Sequence, residues 1–450
     1  MRKGSVCNIG LFCLLACMAG CSLITSQPVE PYPPVPPLTY APRPAAHVIP
    51  GVEVLLDKTW MISRSGEQER HRMISFFDLL IKGRTVGLLT NPTGVNTALH
   101  STIDLLHEHP EVRLGALFAP EHGIRGDLSA GDEVTDGIEP KTGVQIFSIY
   151  RRKPTSEMLA GLDAVLYDIQ DIGASSYTYI YAMAQMMAAC AKSGVPFIVL
   201  DRPNPVGADY IDGPVLDTSR FFSGIGQYDI AYMYGMTPGE LALLINREFL
   251  DKPCKLSIVP MANYSRRMRH HDTGLSWVPT STHIPQASTA LHYSLTGVIG
   301  EIGGVSTGVG YTLPFECLTA PWIDRDKLVD AINARNIPGL RARPISYQPS
   351  YAAYAGQTVH GAHLMITDQR VIRPLSAQIT LMEILQTLYP ERNLFTRPGA
   401  EESLFDKALG TNLIRLMIAQ GASAEAILES LRPRQEAFRQ MRDKYLIYDQ

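Results

Sequence analysis

Several things are scarce in this 450-residue chain. Charged residues make up only 19%, and 40 Lys and Arg against 44 Asp and Glu leave a net charge of −4. No basic stripe is visible, which argues against a nucleic-acid partner. After the N-terminus no apolar run reaches the roughly 18 residues of a spanning helix, which argues against a multi-span membrane protein. Cysteine is sparse outside the start. Cys7, Cys13, Cys17 and Cys21 crowd there, leaving Cys190, Cys254 and Cys317. Three such widely spaced cysteines make neither a disulfide framework nor a metal knuckle. The glycine fingerprint of a dinucleotide site, G-x-G-x-x-G, is missing after the first strand-like run, and there is no P-loop. No cofactor is therefore expected. His270-His271-Asp272 is the one short cluster with metal-ligand residue types, and it reads better as solvated surface, so no metal is expected either.

What is present is a large apolar fraction, 45%, enough for a substantial core. The length is about three times that of a typical domain, which predicts two or three domains. Arg2 and Lys3, the short apolar stretch from Ile9 to Ala19, and Met18-Ala19-Gly20-Cys21 have the form of a secretory signal peptide. Small residues directly before Cys also resemble the lipobox of bacterial lipoproteins, in which Cys21 is lipidated. Leu14-Leu15-Ala16-Cys17 is a poorer match, and an ordinary secretory signal is the alternative. Ser22 resembles the residue of lipoproteins sorted to an outer membrane. Residues 27–44, QPVEPYPPVPPLTYAPRP, read as a stiff polyproline II spacer. The expected organisation is a signal peptide at 1–20, a lipidated Cys and tether at 21–69, and two folded domains at 70–280 and 281–450.

From residue 82 the chain alternates. Thr85–Thr90, Arg113–Ala119, Val144–Ile149, Ala164–Asp168, Phe197–Asp201 and Lys255–Pro260 are short apolar runs of the kind that forms strands buried on both faces. Tyr179–Lys192 carries Met183, Met186, Met187 and Cys190 at helical spacing and stops at Gly194. Thr237-Pro238-Gly239-Glu240 opens another helix with a capping box. Alternation of this kind implies an α/β fold with a parallel sheet. Later helices are expected at 324–335, 374–388, 412–420 and 423–445, the last broken early by Pro433. Gly303–Leu313 reads as a strand or loop. Arg266, Arg267 and Arg269 read as a basic loop before a boundary near 280–286.

Ligands of open parallel sheets bind beyond the carboxyl ends of the strands. The segments there carry Asn91-Pro92-Thr93-Gly94, then Glu121-His122-Gly123 with Arg125, then Asp168-Ile169-Gln170-Asp171 with Tyr177, then Asp201-Arg202-Pro203-Asn204. Glycoside hydrolysis commonly uses two carboxyl groups astride the scissile bond. Glu121 is the first candidate, because it has the weakest purely structural explanation. Asp168, Asp171 and Asp201 are candidates for the second. Each also has a structural alternative: Asp201 pairing with Arg202, and Asp168 or Asp171 capping a helix. Glu240 fits its capping box well enough to be set aside.

TNPTGV (90–95), APEHGIRG (119–126), DIQDIGA (168–174) with YTY (177–179), LDRPNP (200–205), YGMTPGE (234–240), LPFE (313–316) and APWID (320–324) follow one another in order. Together they resemble the NamZ-type exo-β-N-acetylmuramidases of bacteria over roughly residues 70–450. The resemblance implies a Rossmann-like domain, a smaller α+β domain, and a cleft between them. It also implies release of N-acetylmuramic acid from the non-reducing end of peptidoglycan fragments, with Glu121 as the catalytic glutamate. Asp168 and Asp171 are then further catalytic candidates. Asn91, His122, Arg125, Gln170, Tyr177, Asp201, Arg202, Asn204 and Glu316 are the substrate-binding ones. The implied partners are wall fragments or muropeptides, and a membrane through Cys21; no protein partner is indicated. The chain departs from the family pattern at Ser175-Ser176, Tyr234, Thr280–His283 and Ser306–Tyr311, including Thr307 and Val309. A Glu and arginines are lost there. Arginine is the bidentate clamp for carboxylates, and a lactyl carboxylate separates muramic acid from glucosamine. Two further readings are a glycan-binding module on the same scaffold and a hydrolase of another sugar.

Overall fold

The computed structural model describes residues 47–64, 72–124, 134–396 and 404–449. The lipobox around Cys21, the Pro-rich stretch and Arg125 lie outside them. The apolar runs become β1 (Thr85–Thr90), β2 (Arg113–Ala119), β4 (Gln145–Ser148), β5 (Ala164–Asp168), β6 (Phe197–Leu200) and β7 (Leu256–Val259). With β3 (Gly137–Ile138) they form one seven-stranded sheet in the order β7-β6-β5-β1-β2-β4-β3. All neighbours are parallel except β3, which runs antiparallel to β4. Successive residues of the central strands enter different apolar clusters. Leu88, Leu117 and Leu166 belong to one face, Leu89, Phe118 and Tyr167 to the other. Strands covered on both faces need apolar side chains at every position, which is why these runs do not alternate.

Helix α1 (Tyr179–Ser193) buries Met183, Met186, Met187 and Cys190 and ends at Gly194, whose φ of 73° is left-handed. Helix α2 (Pro238–Glu248) has the expected capping box. The Thr237 hydroxyl accepts from the Glu240 amide, and the Glu240 carboxylate accepts from the Thr237 amide. The chain then adds α3 (Ala287–Ile302), β8 (Cys317–Ala320), α4 (Arg325–Ala334), β9 (Leu340–Tyr347), β10 (Val359–Ile366), α5 (Pro374–Leu388) and α6 (Ala424–Arg442). Here the sheet is antiparallel, in the order β8-β10-β9. The fold is thus a mainly parallel α/β sheet followed by a smaller α+β part. One apolar cluster joins them, running from Ile172 and Tyr232 through Leu295 and Leu318 to Ile427.

Three expectations are corrected. Residues 47–56, assigned to the tether, fold onto the sheet, and 61–64 pair as a strand with 72–75. Gly51–Leu56 form a helix with Val52, Val54 and Leu55 buried, and the Gly51 amide donates to the Asp201 carbonyl at 3.0 Å. A Cβ at Gly51 would stand 2.4 Å from the Asp201 nitrogen, so only glycine permits this approach. Second, α6 passes through Pro433 unbroken. Ile427, Leu431 and Phe438 are buried on both sides of it, and the Arg434 and Gln435 side chains bond the carbonyls of Leu216 and Gly213. This anchoring outweighs the ~3 kcal/mol that an interior proline costs. Third, Arg266 and Arg269 are not surface charges, being 1% exposed. Arg266 pairs with Glu240 and bonds the carbonyls of Ala208 and Gly235. Arg269 pairs with Asp209. His270 is likewise buried, edge-on to Trp277.

Candidate active site

The carboxyl edge of the sheet carries Glu121 on a tight bend after β2. His122 and Gly123 both have left-handed backbones, with φ of 70° and 73°, and the Gly123 amide closes the turn onto the Pro120 carbonyl at 3.1 Å. A non-glycine residue in this region is uncommon and marks a constrained site. The bend presents its two polar side chains to different spaces. Glu121 lines a cavity of about 420 Å³ with Tyr150, Arg151, Thr178, Gln185 and Gln227. His122 lines a second one of about 260 Å³, walled by Pro92 and residues 278–282.

Both oxygens of Glu121 are held. The Tyr150 hydroxyl donates to Oε1 at 3.0 Å, and the Thr178 hydroxyl to Oε2 at 2.8 Å. Hydroxyls rotate, so either group can instead accept from Glu121 when it carries a proton. Burial, and then the neighbouring Glu121 carboxylate, raise the Tyr150 phenol above its ordinary range, which keeps its proton in place. A cavity of this size admits a sugar, and a part-buried carboxyl oriented by two hydroxyls is suited to proton transfer at a glycosidic oxygen.

The wall of the second cavity is pinned from the sheet side. The Tyr177 hydroxyl donates to Thr280 Oγ1 at 2.9 Å, and the Tyr179 hydroxyl to the Thr280 carbonyl at 2.6 Å. His283 stacks on Tyr351. Burial and the neighbouring His122 lower its pKa.

The remaining carboxylates are placed elsewhere. Asp168 is fully buried and faces Arg202, which grips both of its oxygens, while Thr102 donates to Oδ2. It caps no helix and lines neither cavity. Asp201 pairs not with the Arg202 guanidinium but with its backbone amide, and it also binds the Gly239 amide and the hydroxyls of Thr237 and Tyr448. It therefore fastens the start of α2 and the C-terminal segment to the sheet. Asn204 closes a turn through the Val206 amide and the Met236 carbonyl. Gln170 donates to the carbonyls of Asp171 and Pro203. With Arg202 it borders a void of only about 20 Å³, room for a single water and not for a sugar. Asn91 accepts from the amide and hydroxyl of Thr93. Glu316 lies at the second sheet, bonded to His363 at 3.2 Å. Because the Arg343 guanidinium can only donate to His363 Nδ1, the His363 proton is on Nε2 and points at Glu316.

Asp171 is buried beneath the edge. Its Oδ2 accepts from the Gly173 amide and the Tyr234 hydroxyl, and its Oδ1 has no hydrogen-bond partner among the described residues. Tyr234 thus serves Asp171, while Ser175 and Ser176 connect to the hydroxyls and backbone of Tyr181, Tyr232 and Tyr293. Burial pushes the Asp171 carboxyl from 3.8 up to about 6. The folded state therefore holds that proton more tightly than the unfolded chain. This contribution to stability is complete below pH 3.8 and disappears as pH rises through about 6. Asp171→Asn lacks it. From pH 4 to pH 7.5 the variant should gain roughly 2–3 kcal/mol on the wild type, read from urea midpoints at the two pH values. A difference independent of pH would refute the assignment.

Reading strand by strand missed the loop after β4. It holds Tyr150, which orients Glu121, and the cationic residues Arg151, Arg152 and Lys153 that line the same cavity. The signal was available, since Tyr150 directly follows an apolar run.

Two family models, described as exo-beta-N-acetylmuramidase NamZ, N-terminal and C-terminal, match residues 86–288 and 291–448. The chain belongs to the NamZ family. A relative named peptidoglycan beta-N-acetylmuramidase NamZ, from Bacillus subtilis (strain 168), is 42% identical over 370 residues, covering 82% of this chain and 88% of the relative. Two crystal structures from Bacteroides fragilis NCTC 9343, described as DUF1343 family proteins, share the architecture. One has a TM-score of 0.80 at 38% identity, covering 90% of this chain and 99% of the other. The second has a TM-score of 0.66 at 28% identity, covering 89% and 99%. The NamZ match spans the sheet edge with Glu121 as well as the β8–β10 sheet.

Proposed function

We propose that this NamZ-family chain is an exo-acting glycoside hydrolase that removes N-acetylmuramic acid from the non-reducing end of peptidoglycan fragments, in cell-wall turnover. The 42% identity to a peptidoglycan β-N-acetylmuramidase over most of both chains carries this reading. Glu121 is the proton donor in it. It lines a sugar-sized cavity at the carboxyl edge of the sheet, and both of its oxygens are oriented. Among the described lining residues it is also the one carboxylate. Asp168 and Asp201 serve the scaffold. A lipid anchor on Cys21, holding the enzyme on an outer membrane facing the periplasm, belongs to the same proposal. It predicts that Cys21→Ala moves the protein from the membrane to the soluble fraction.

The test is hydrolysis of a 4-nitrophenyl β-N-acetylmuramide beside the matching β-N-acetylglucosaminide. Release from the muramide at least tenfold faster is expected. A folded protein that releases nothing from the muramide, or prefers the glucosaminide, would sink the proposal.

A further inference from the structure

The Glu121 cavity carries a concentration of positive charge that proton transfer does not require. Arg151, Arg152 and Lys153 all line it. Arg152 is committed elsewhere, with Nη2 2.9 and 3.0 Å from the two oxygens of Asp136. Arg151 and Lys153 have no carboxylate partner among the described residues. Arg151 also has a left-handed backbone, with φ of 55°. That conformation is uncommon for a side chain with a Cβ. Here the guanidinium is turned back over the Tyr150 ring, 4.9 Å from its centroid. The hydroxyl of that same ring donates to Glu121. Arg151 and Glu121 thus both contact Tyr150, and all three line the cavity.

We infer that Arg151, with Lys153 beside it, is a carboxylate-recognition edge of this cavity, and that it selects a sugar bearing an acidic substituent. The inference rests on reading the Glu121 cavity as the glycosidase site. A guanidinium fork matches a carboxylate in two parallel hydrogen bonds, and its strength rises once a bound sugar excludes water. Two carboxylates on wall fragments have the required chemistry, the lactyl group of unsubstituted muramic acid and the termini of a peptide stem.

Binding of free sugars tests this without turnover. Calorimetry compares N-acetylmuramic acid, its lactyl methyl ester and N-acetylglucosamine on the wild type, Arg151→Lys and Arg151→Gly. Glycine accepts the left-handed backbone, so the last variant keeps the loop. The wild type should bind N-acetylmuramic acid about 10–100-fold tighter than the two uncharged sugars. That preference should fall with salt, shrink in Arg151→Lys and vanish in Arg151→Gly, with N-acetylglucosamine binding unchanged. N-acetylmuramyl dipeptide separates the sources. An Arg151-dependent advantage that survives in it assigns the peptide carboxylate, and one that disappears assigns the lactyl group. The inference is overturned if the wild type prefers neither N-acetylmuramic acid nor the dipeptide over the uncharged sugars, if Arg151→Gly retains the preference, or if that variant weakens all the sugars equally. Arg151-dependent binding without muramide hydrolysis would defeat the glycosidase reading alone.

Discussion

Glu121→Gln should lower kcat on a muramyl disaccharide by about 10²–10⁴-fold, the usual value of a positioned acid, while the Kd for N-acetylmuramic acid changes less than threefold. Glutamine keeps the shape of the side chain: its oxygen can accept from one of the Tyr150 and Thr178 hydroxyls, which hold Oε1 and Oε2 in the wild type, and its amide nitrogen can donate to the other, once that hydroxyl rotates. What it lacks is the transferable proton. The loss should depend on the leaving group. A sugar alkoxide needs its oxygen protonated as the bond breaks, whereas 4-nitrophenolate leaves unaided. The variant should therefore retain much more of its rate on the nitrophenyl muramide than on the disaccharide. Equal losses on both substrates would identify Glu121 as a nucleophile or base instead. Undiminished activity on both would remove it from the mechanism, and with it the proposal that this cavity is the catalytic site.

Asp168→Ala should destabilise the protein by about 3–5 kcal/mol, the cost of leaving a buried ion without its partner. At roughly 400 folded residues that is a fall in Tm of about 5 °C. Arg202 is 4% exposed and Asp168 wholly buried, so a water shell cannot replace the lost carboxylate. Removing both charges, as in Asp168→Leu with Arg202→Met, should recover a good part of the loss, because no uncompensated ion then remains. The kcat of folded Asp168→Ala should stay within a few-fold of wild type, since Asp168 lines neither cavity at the Glu121 bend. A catalytic collapse with an unchanged Tm would reverse this and return Asp168 to the reacting groups.

These two predictions separate residues that look alike in the sequence. Glu121, Asp168, Asp171 and Asp201 each stand at or just past the end of an apolar run. In the structure, Asp168 and Asp201 are absorbed by an arginine, backbone amides and hydroxyls arriving from positions up to 247 residues away. Only Glu121 opens onto a sugar-sized space. The sequence pattern ranks Glu121 first but offers no reason to exclude the others, because hydrogen-bond partners distant along the chain leave no local trace.

The same holds for the arginines. Arg266 and Arg269 follow one another in what looks like a surface loop, yet both are buried and paired. Arg151, beside a second arginine and a lysine, looks no more distinctive. Its left-handed backbone and its place over Tyr150 single it out.

Much of the architecture was legible in the residues themselves. Continuous apolar runs specify strands covered on both faces, Gly194 and the Thr237–Glu240 box specify helix ends, and ordered motifs specify the family. These are local signals, set by side-chain spacing and backbone preference within a few residues. The three-stranded β8–β10 sheet and α3 were not legible. Strand β9 carries exposed arginines and a proline between its buried positions, and its pairing with β10 has no short-range mark. Nor could spacing decide which acid faces a cavity, which arginine is buried, or that helix α6 survives Pro433. Those outcomes depend on what the rest of the chain brings alongside: burial removes water from a charge, and a partner distant in sequence then determines whether that charge is scaffold or reagent.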